Sequence, residues 1–159
     1  MHLLKTTLIF LFFTSITFAQ SKTLQDTLLA SQYFKKADSL LTDRKLDSAI
    51  VYFKKALPIY KKENAWERMA GCYNGISESM WRNRKLETSF KNAKKALSIL
   101  EKYLIRKNQE EAYAYDNIGN YYENISDFDN AMKCYQKALQ IQQKILPENR
   151  KPFRNCKIL

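Results

Sequence analysis

The sequence predicts an all-α fold, built from three helix–turn–helix hairpins that stack side by side. Small and aromatic residues recur at steps of three and four along paired segments, which is the spacing of one helix face. Short polar stretches separate the paired segments, as turns and helix N-caps require. No segment alternates apolar and polar residues as a strand would, and the 3 glycines all fall on predicted helices. These observations argue against a β-sheet domain.

The third hairpin carries the clearest form of this pattern. Two helix faces are formed by Tyr115, Ile118, Gly119 and Tyr122 and by Ala131, Tyr135 and Ala138. Between them lies the stretch 126–129, whose short polar side chains suit a turn and an N-cap. Small side chains let the two helices approach closely, and aromatic rings fill the space that remains. The same reasoning predicts close helix contact within the second hairpin at Gly71 and Gly75.

Two weaker copies of the pattern precede the third hairpin. One runs from Tyr33 to Ala56 and the other from Tyr73 to Ala96. The last alanines of the copies, at 56, 96 and 138, are 40 and 42 residues apart. Residues 30 to 146 therefore resemble tetratricopeptide repeats, helix pairs with a usual period of about 34 residues. The longer period is similar to the kinesin light chain type, also seen in exported bacterial proteins. The resemblance implies an α-solenoid that winds as a right-handed superhelix.

The pattern divides the chain into successive segments. They are a lead-in at 20–29, repeats at 30–64, 65–107 and 108–146, and an irregular tail at 147–159. Helices are predicted at 30–43, 46–62, 65–82, 86–104, 109–125 and 128–146. Turns at 43–45 and 83–85 close the first two hairpins. Pro58 falls inside a helix and removes one amide donor, which predicts a bend there.

The first 19 residues have the features of a secretory signal peptide. Lys5 precedes an apolar run from Leu8 to Phe18, and Ala19 supplies a small residue at the expected cleavage site. A membrane-spanning helix needs about 20 apolar residues, so this shorter run favours cleavage over a retained anchor. The sequence therefore predicts an exported protein that works in the periplasm or outside the cell.

Catalytic and cofactor chemistry have no support in the sequence. The single histidine, His2, lies in the predicted signal peptide, so an exported form has no imidazole for acid–base catalysis or a metal site. No glycine-rich phosphate-binding motif is present. The carboxylate pair Glu110-Glu111 stands where a helix begins, which assigns it to the helix dipole. We expect a non-catalytic protein without a cofactor or a metal.

The 3 cysteines are Cys72, Cys134 and Cys156. An exported protein can form disulfides, but an odd count leaves at least one thiol unpaired. Cys72 and Cys134 fall in helices of different repeats and have no metal-ligand spacing. We expect two buried thiols and one thiol in the tail.

The chain is basic, with a formal net charge of +11 at pH 7. Lysine pairs at 54–55 and 94–95 lie beside predicted core alanines, which places them on the outer face of second helices. Aromatic residues among lysines are typical of nucleic-acid stacking. Their repeat positions favour core packing instead, and nucleic acid is not an expected partner of an exported protein. The basic surface favours an acidic protein partner or, alternatively, an anionic polymer bound with strong salt dependence.

The resemblance implies a function for the concave surface that first helices line in this family, where it binds an extended peptide or a partner helix. The corresponding positions are Phe34, Asp38, Leu41, Asn74, Glu78, Trp81, Arg82, Tyr113, Asp116, Asn117, Asn120 and Glu123. The asparagines are suited to hydrogen-bond a ligand backbone, and Arg82 is suited to an acidic group. Asp38 occupies a place that the family's carboxylate-clamp variant gives to a lysine or an asparagine, so that variant is not implied.

The resemblance leaves two further alternatives open. Repeat arrays need a polar cap at each end, and residues 153–159 are too few to cover the last hairpin. Exported bacterial repeat proteins often continue into a caspase-like protease or a sensor histidine kinase domain. The chain is then the sensing or recruiting part of a larger protein. In the other alternative, a second copy of the chain stacks on the uncovered end.

Overall fold

The computed structural model describes residues 25–105 and 108–145, and these residues form helices and turns without a strand. The helices are α1 at 25–42, α2 at Leu46–Lys62, α3 at Trp66–Arg82, α4 at Leu86–Tyr103, α5 at Gln109–Asn124 and α6 at Phe128–Ile145. The all-α prediction is confirmed. Residues 25–29, predicted as part of the lead-in, already belong to α1. The predicted signal peptide, the tail at 147–159 and Cys156 lie outside the described residues.

The tight turns share one hydrogen-bond pattern. After α3, the main-chain N–H of Arg84 donates to the oxygen of Trp81 at 2.9 Å, and that of Lys85 donates to Met80 at 2.9 Å. These are the two bonds of a Schellman motif, which needs a left-handed residue just past the helix. Arg84 fills that position with a φ of 60°. The same pattern ends α1, α2 and α5, with Arg44, Asn64 and Ser126 in the left-handed position.

Side-chain caps open the two helices of the third hairpin. Asn108 Oδ1 accepts the main-chain N–H of Glu111 at 3.0 Å at the start of α5. Asp127 Oδ1 accepts the main-chain N–H of Asn130 at 3.2 Å at the start of α6. The N-cap predicted for the stretch 126–129 is therefore confirmed at Asp127.

Small side chains set the distance between the helices of a hairpin. In the third hairpin, the Tyr135 ring lies against Gly119, where a Cβ atom would come within 2.5 Å of Tyr135 Cε1. In the second hairpin, two buried serines take the equivalent place. The Ser77 hydroxyl donates to the main-chain oxygen of Ser89 at 2.8 Å and lies 3.0 Å from its hydroxyl. Close approach is thus obtained by different residues in different repeats.

Gly71 and Gly75 act between hairpins, and the prediction that they bring the helices of one hairpin together is wrong. A Cβ atom on Gly75 would overlap the ring of Phe53 in α2. A Cβ atom on Gly71 would lie 3.1 Å from the carboxylate carbon of Glu110 in α5. The α4-facing residue of α3 is Ser77, and at 3.6 residues per turn both glycines point roughly 120° or more away from it.

The arrangement of the hairpins creates an inner and an outer side. First helices α3 and α5 contact each other, whereas in the described residues α2 makes no contact with α4, nor α4 with α6. The second helices instead pack against first helices: α2 against α3, α4 against both α3 and α5, and α6 against α5. Because first helices touch while second helices stay apart, the stack bends toward the first helices, which line the concave side. This is the predicted solenoid of helical hairpins.

Aromatic side chains at the core positions of the repeat pattern pack in or against the core, as predicted, and lysines lie over three of their rings. Phe53 is fully buried, and Tyr33, Tyr73 and Tyr115 are partly buried against the core clusters. One lysine lies over each of these tyrosine rings, with Lys55, Lys95 and Lys137 at 5.7, 5.7 and 5.1 Å from the ring centres. The recurrence of one contact at the same place in all three hairpins supports the repeat register.

The two described cysteines are free thiols in different environments. Cys72 is fully buried, and burial raises the pKa of its thiol to about 12. Cys134 is only partly buried, so the expectation of two buried thiols is met in full at Cys72 alone. Among the described helices, none combines the length and apolar character that crossing a membrane requires.

Candidate functional site

Side-chain amides join α3 and α5 on the concave side. Asn74 Nδ2 donates to the main-chain oxygen of Glu110 at 2.8 Å and to Glu110 Oε2 at 2.9 Å. In the other direction, Asn117 Nδ2 donates to the main-chain oxygen of Asn74 at 3.4 Å. Asn74 and Asn117 are 5% and 7% exposed. Both predicted groove residues therefore form the joint between two repeats as well as part of the inner face.

The second polar atom of the Asn74 amide is unpaired. Its Oδ1 is buried, and no described group donates to it. The amide orientation follows from Nδ2, which faces two acceptors and must therefore be the nitrogen. A buried acceptor without a donor costs about 1–3 kcal/mol. The joint between α3 and α5 thus contains a buried acceptor to which the described residues offer no donor.

Glu110 is the carboxylate at the centre of this joint. Burial is the main cause that raises the pKa of Glu110, and its hydrogen bond from Asn74 opposes the rise. The nearby charges of Glu67 and Asp38 raise the pKa further, while Arg68 lowers it. Carboxylates of α1, α3 and α5 therefore act on one another across the inner face.

Asp116 and Tyr113 extend the same surface along α5. Burial raises the pKa of Asp116 to about 6. The pKa of Tyr113 is raised by burial and then by the negative charge of Glu110, with smaller contributions from Glu78 and Asp116. Tyr113 nevertheless keeps 37% of its surface exposed. Tyr113 and Asp116 are therefore neighbours along α5.

Three predicted residues of α3 occupy the end of the helix near the turn. Arg82 forms an ion pair with Glu78 at 2.6 Å, one helical turn earlier. Trp81 is partly buried. Because Arg82 already has a carboxylate partner, an acidic group of a ligand would have to compete with Glu78 for it.

The end of the face on α5 is tied to α6. The Tyr135 hydroxyl lies 3.0 Å from Asn120 Oδ1 and 2.7 Å from Glu123 Oε2. Asn120 is partly buried and Glu123 is exposed. These two predicted residues are therefore held in place by the ring that packs on Gly119.

The first repeat contributes least to the predicted site. Leu41 is 6% exposed and belongs to the core, because it follows Leu40 on the broad apolar side of α1. The Phe34 ring packs edge-on against Phe53 at 5.4 Å between ring centres. Asp38 is exposed. Of the three predicted residues, Asp38 alone presents an exposed side chain, and Leu41 is a core residue.

Charge is separated between the two sides of the solenoid. Within the described helices, first helices carry eight acidic and four basic side chains, whereas second helices carry four acidic and eleven basic ones. The first helices are thus net acidic by four charges and the second helices net basic by seven. The lysine pairs at 54–55 and 94–95 are exposed on second helices, as predicted. Among the described helices, the basic excess that favours an acidic partner therefore lies on the second helices.

Glu110 is the site residue that the sequence patterns did not single out. The helix dipole is enough to explain a carboxylate near the start of a helix. The sequence pattern therefore assigns Glu110 no role in the groove. The missed signal is its spacing. Glu110 stands three and seven residues before Tyr113 and Asn117, which are both predicted groove residues, so all three share one helix face. In the described part of the chain, no group of three His, Cys, Asp or Glu side chains is placed to hold a metal ion.

Comparison with known proteins agrees with this architecture. Residues 68–144, which span most of α3 to α6, match the tetratricopeptide repeat family. No curated protein matches the chain. Together with the solved structures described next, the family match supports a tetratricopeptide repeat protein.

Several solved structures share the fold. The TPR domain of Arabidopsis FLU is 18% identical, with a TM-score of 0.63 over 77% of this chain and 98% of that one. A TPR-like protein from Chlorobium tepidum is 17% identical, with a TM-score of 0.66 over 83% and 87%. BtubC (BKLC) from P. vanneervenii is 20% identical, with a TM-score of 0.62 over 82% and 53%. At these identities the likeness establishes the fold.

Proposed function

We propose that the chain is a non-catalytic scaffold that binds another protein, as an extended peptide or a partner helix, along its concave face. The tetratricopeptide fold supports a protein–protein interaction scaffold in general. The observation that carries the proposal is the packing of α3 on α5 with the second helices held apart. This packing leaves an open inner face lined by polar and aromatic side chains.

Aromatic side chains on this face are suited to anchor a partner. Tyr113 is 37% exposed and Trp81 is partly exposed. Tyrosine and tryptophan carry much of the binding energy in protein interfaces, because they bury large areas and lose little side-chain freedom. The polar groups beside them, such as Asn120, are suited to hydrogen-bond the partner's main chain.

Selection from a random twelve-residue peptide display library tests the groove. We expect selected peptides to lose about tenfold in affinity with Tyr113→Ala or Trp81→Ala. The matched control is Val51→Ala, which removes an exposed side chain, 50% exposed, from α2 on the outer side. If Val51→Ala weakened binding as much as the inner-face substitutions, or if neither class had an effect, the concave face would not be the binding site.

We further propose that the protein acts after export, in the periplasm or outside the cell. The predicted signal peptide at residues 1–19 supports this. N-terminal sequencing of the expressed protein tests it, because cleavage predicts a chain that begins at Gln20, whereas a chain that keeps Lys5 contradicts it. The alternative of a sensing arm joined to a protease or kinase domain rests on the family resemblance and stays a prediction.

A second proposal concerns the outer end of the third hairpin, formed by Phe128 and Met132. In the preceding hairpin, Phe90 of α4 stacks on Tyr121 of α5 with ring centres 4.2 Å apart. Met132 holds the position of Phe90 one repeat later and is 57% exposed, and Phe128 is 60% exposed. We propose that a second copy of the chain stacks on this end, as α5 does on α4.

Size-exclusion chromatography with light scattering tests the stacking. We expect a concentration-dependent dimer that Met132→Lys and Phe128→Lys convert to a monomer. Val51→Lys is the control, since it adds the same charge at an exposed apolar position on α2. A parent chain that stays monomeric at high concentration would contradict the proposal.

A further inference from the structure

We infer that the concave groove selects a cationic ligand, a peptide whose arginine or lysine side chains are received by Asn74 together with Glu110 and, further along α5, by Asp116. This inference rests on the proposed function, because it names the class of partner for the same groove. It differs from the acidic partner that the net charge of the chain favours.

The first support is an excess of carboxylates over cations around Glu110 and Tyr113. Electrostatic interactions link Glu110 to Asp38 and Glu67 and to one cation, Arg68. They also link Tyr113 to Glu110, Asp116 and Glu78, of which Glu78 is paired with Arg82. No ion pair within 4.0 Å involves Glu110 or Asp116 in the described residues. The groove therefore gathers like charges from three helices, an arrangement that a bound cation would relieve.

The second support is the unpaired oxygen of Asn74. The residue is 5% exposed, its amide contacts the Glu110 carboxylate, and its Oδ1 has no donor. A guanidinium offers five N–H donors and an ammonium offers three, and neither has an acceptor. One cationic head would thus provide a donor for Asn74 and a positive charge for Glu110. An acidic side chain would bring more acceptors and a repelled charge.

The third support comes from the protonation of the two carboxyl groups. Burial raises the pKa of both Glu110 and Asp116, so their charged forms are disfavoured in the free protein. A nearby positive charge stabilises the charged forms and lowers both pKa values. Binding of a cationic ligand is therefore linked to the release of any proton that these groups hold, and its affinity rises as the pH rises through the Asp116 pKa of about 6.

The charge separation of the solenoid also orients the ligand. Net negative first helices attract a basic peptide toward the groove, while net positive second helices repel it from the outer side. The exposed ring of Tyr113 adds a surface on which a guanidinium can stack. Acidic peptides are steered to the opposite side by the same field.

Fluorescence anisotropy with three labelled twelve-residue peptides tests the inference on the full chain. The peptides alternate Gly and Ser and carry arginine, citrulline or glutamate at the same four positions. Citrulline has nearly the shape of arginine without its charge. The variants are Glu110→Gln and Asp116→Asn, and the matched control is Glu101→Gln, which removes an exposed carboxylate from α4 on the outer side.

We expect the arginine peptide to bind at least tenfold more tightly than the citrulline peptide, and the glutamate peptide to bind least. Glu110→Gln and Asp116→Asn should each lower the affinity for the arginine peptide about threefold or more. Glu101→Gln should leave that affinity unchanged. Equal binding of the arginine and citrulline peptides would overturn the inference, as would an equal loss with Glu101→Gln. Far-ultraviolet circular dichroism checks folding. If Glu110→Gln unfolds the chain, the inference is tested by the Asp116→Asn variant and by the comparison of the arginine and citrulline peptides.

Failure of this inference is distinguishable from failure of the proposed function. If display-selected peptides bind through Tyr113 but are insensitive to the two carboxylate substitutions, the groove binds peptides without selecting a cation. If the binding of no peptide depends on Tyr113 or Trp81, both proposals are contradicted: that the groove binds peptides and that it prefers cationic ones.

Discussion

Asn74 of α3 and Glu110 of α5 are 36 positions apart in the chain and are joined by two hydrogen bonds from a single side-chain amide, at 2.8 and 2.9 Å. Both residues lie on the concave side. The contact that fixes one hairpin against the next therefore also fixes the groups that face a ligand. A surface that is already ordered loses less entropy when it binds.

Asn74→Ala should destabilise the chain by about 1–3 kcal/mol, because it removes the donor of two hydrogen bonds in a largely buried joint. Urea denaturation measures this change. Asn92→Ala is the matched control, since Asn92 donates only to Thr88 one turn back along α4, at 2.7 Å, and joins no second helix. Equal losses in the two variants would show that the Asn74 contact does not hold the repeats together.

Gly119→Ala should destabilise the third hairpin by about 1–3 kcal/mol, although alanine favours a helix by about 1 kcal/mol. The new methyl group would lie 2.5 Å from the Tyr135 ring. Gly71→Ala should cost less, because its 3.1 Å neighbour is the end of the flexible Glu110 side chain. Thermal unfolding of both variants provides the comparison. A stabilised Gly119→Ala variant would be incompatible with the observed helix crossing.

Arg84→Gly should stabilise the chain by about 1 kcal/mol, because a left-handed backbone is unfavourable for residues other than glycine. Its φ is 60°, and it follows α3 in a Schellman turn. The control is Lys94→Gly inside α4, where glycine should cost about 1 kcal/mol. Chemical denaturation measures both changes. Destabilisation by Arg84→Gly would contradict the left-handed turn.

Asp116→Asn should stabilise the free protein at pH 8 and leave its stability unchanged near pH 4. The folded pKa of about 6 lies above 3.8, the ordinary pKa of an aspartate side chain. The native state therefore binds the proton more tightly, and stability present below pH 4 is lost as the pH rises through 6. The shift corresponds to roughly 3 kcal/mol, which partial exposure reduces to about 1–2 kcal/mol.

The negative charge of Asp116 raises the pKa of two neighbouring groups, Tyr113 on its own helix and Tyr135 of α6. Neither tyrosine changes charge between pH 4 and 8, since burial raises the pKa of both. Urea denaturation at the two pH values measures the effect. Asp43→Asn, at an exposed turn position, should show no such pH-dependent gain. A similar gain in both variants would contradict the burial of Asp116.

The hairpins were predictable because their pattern is local. The spacing of Gly119, Tyr135 and Ala138 follows from helix geometry, and the polar turns mark where each helix ends. The first helix was placed too late because residues 25–29 lack a strong apolar period. Their side chains are mostly exposed, and Asp26 is joined to α2 by an ion pair with Lys62 at 2.8 Å, a contact that the local pattern does not reveal. Tertiary contacts commonly extend helices in this way.

The inner face was predictable only in part, because it depends on how hairpins approach each other. Asn74 and Asn117 were assigned to the groove, but their role as a joint between α3 and α5 could be recognised only with the partner helix present. Leu41 was assigned to the groove and is in the core, since the pattern does not give the width of the apolar side of α1. Glu110 was missed because its place near the start of α5 is explained by the helix dipole alone. That explanation hid its second role as a carboxylate of the groove.

Chemical-shift mapping of the arginine peptide on the isotope-labelled chain tests the acidic groove most directly. We predict that the largest amide shifts fall on α3 and α5, including the side-chain amide of Asn74, and that the carboxyl pKa of Asp116 falls below 6 when the peptide is bound. Shifts concentrated on the lysine-bearing helices α2, α4 and α6, with the pKa of Asp116 unchanged, would contradict it.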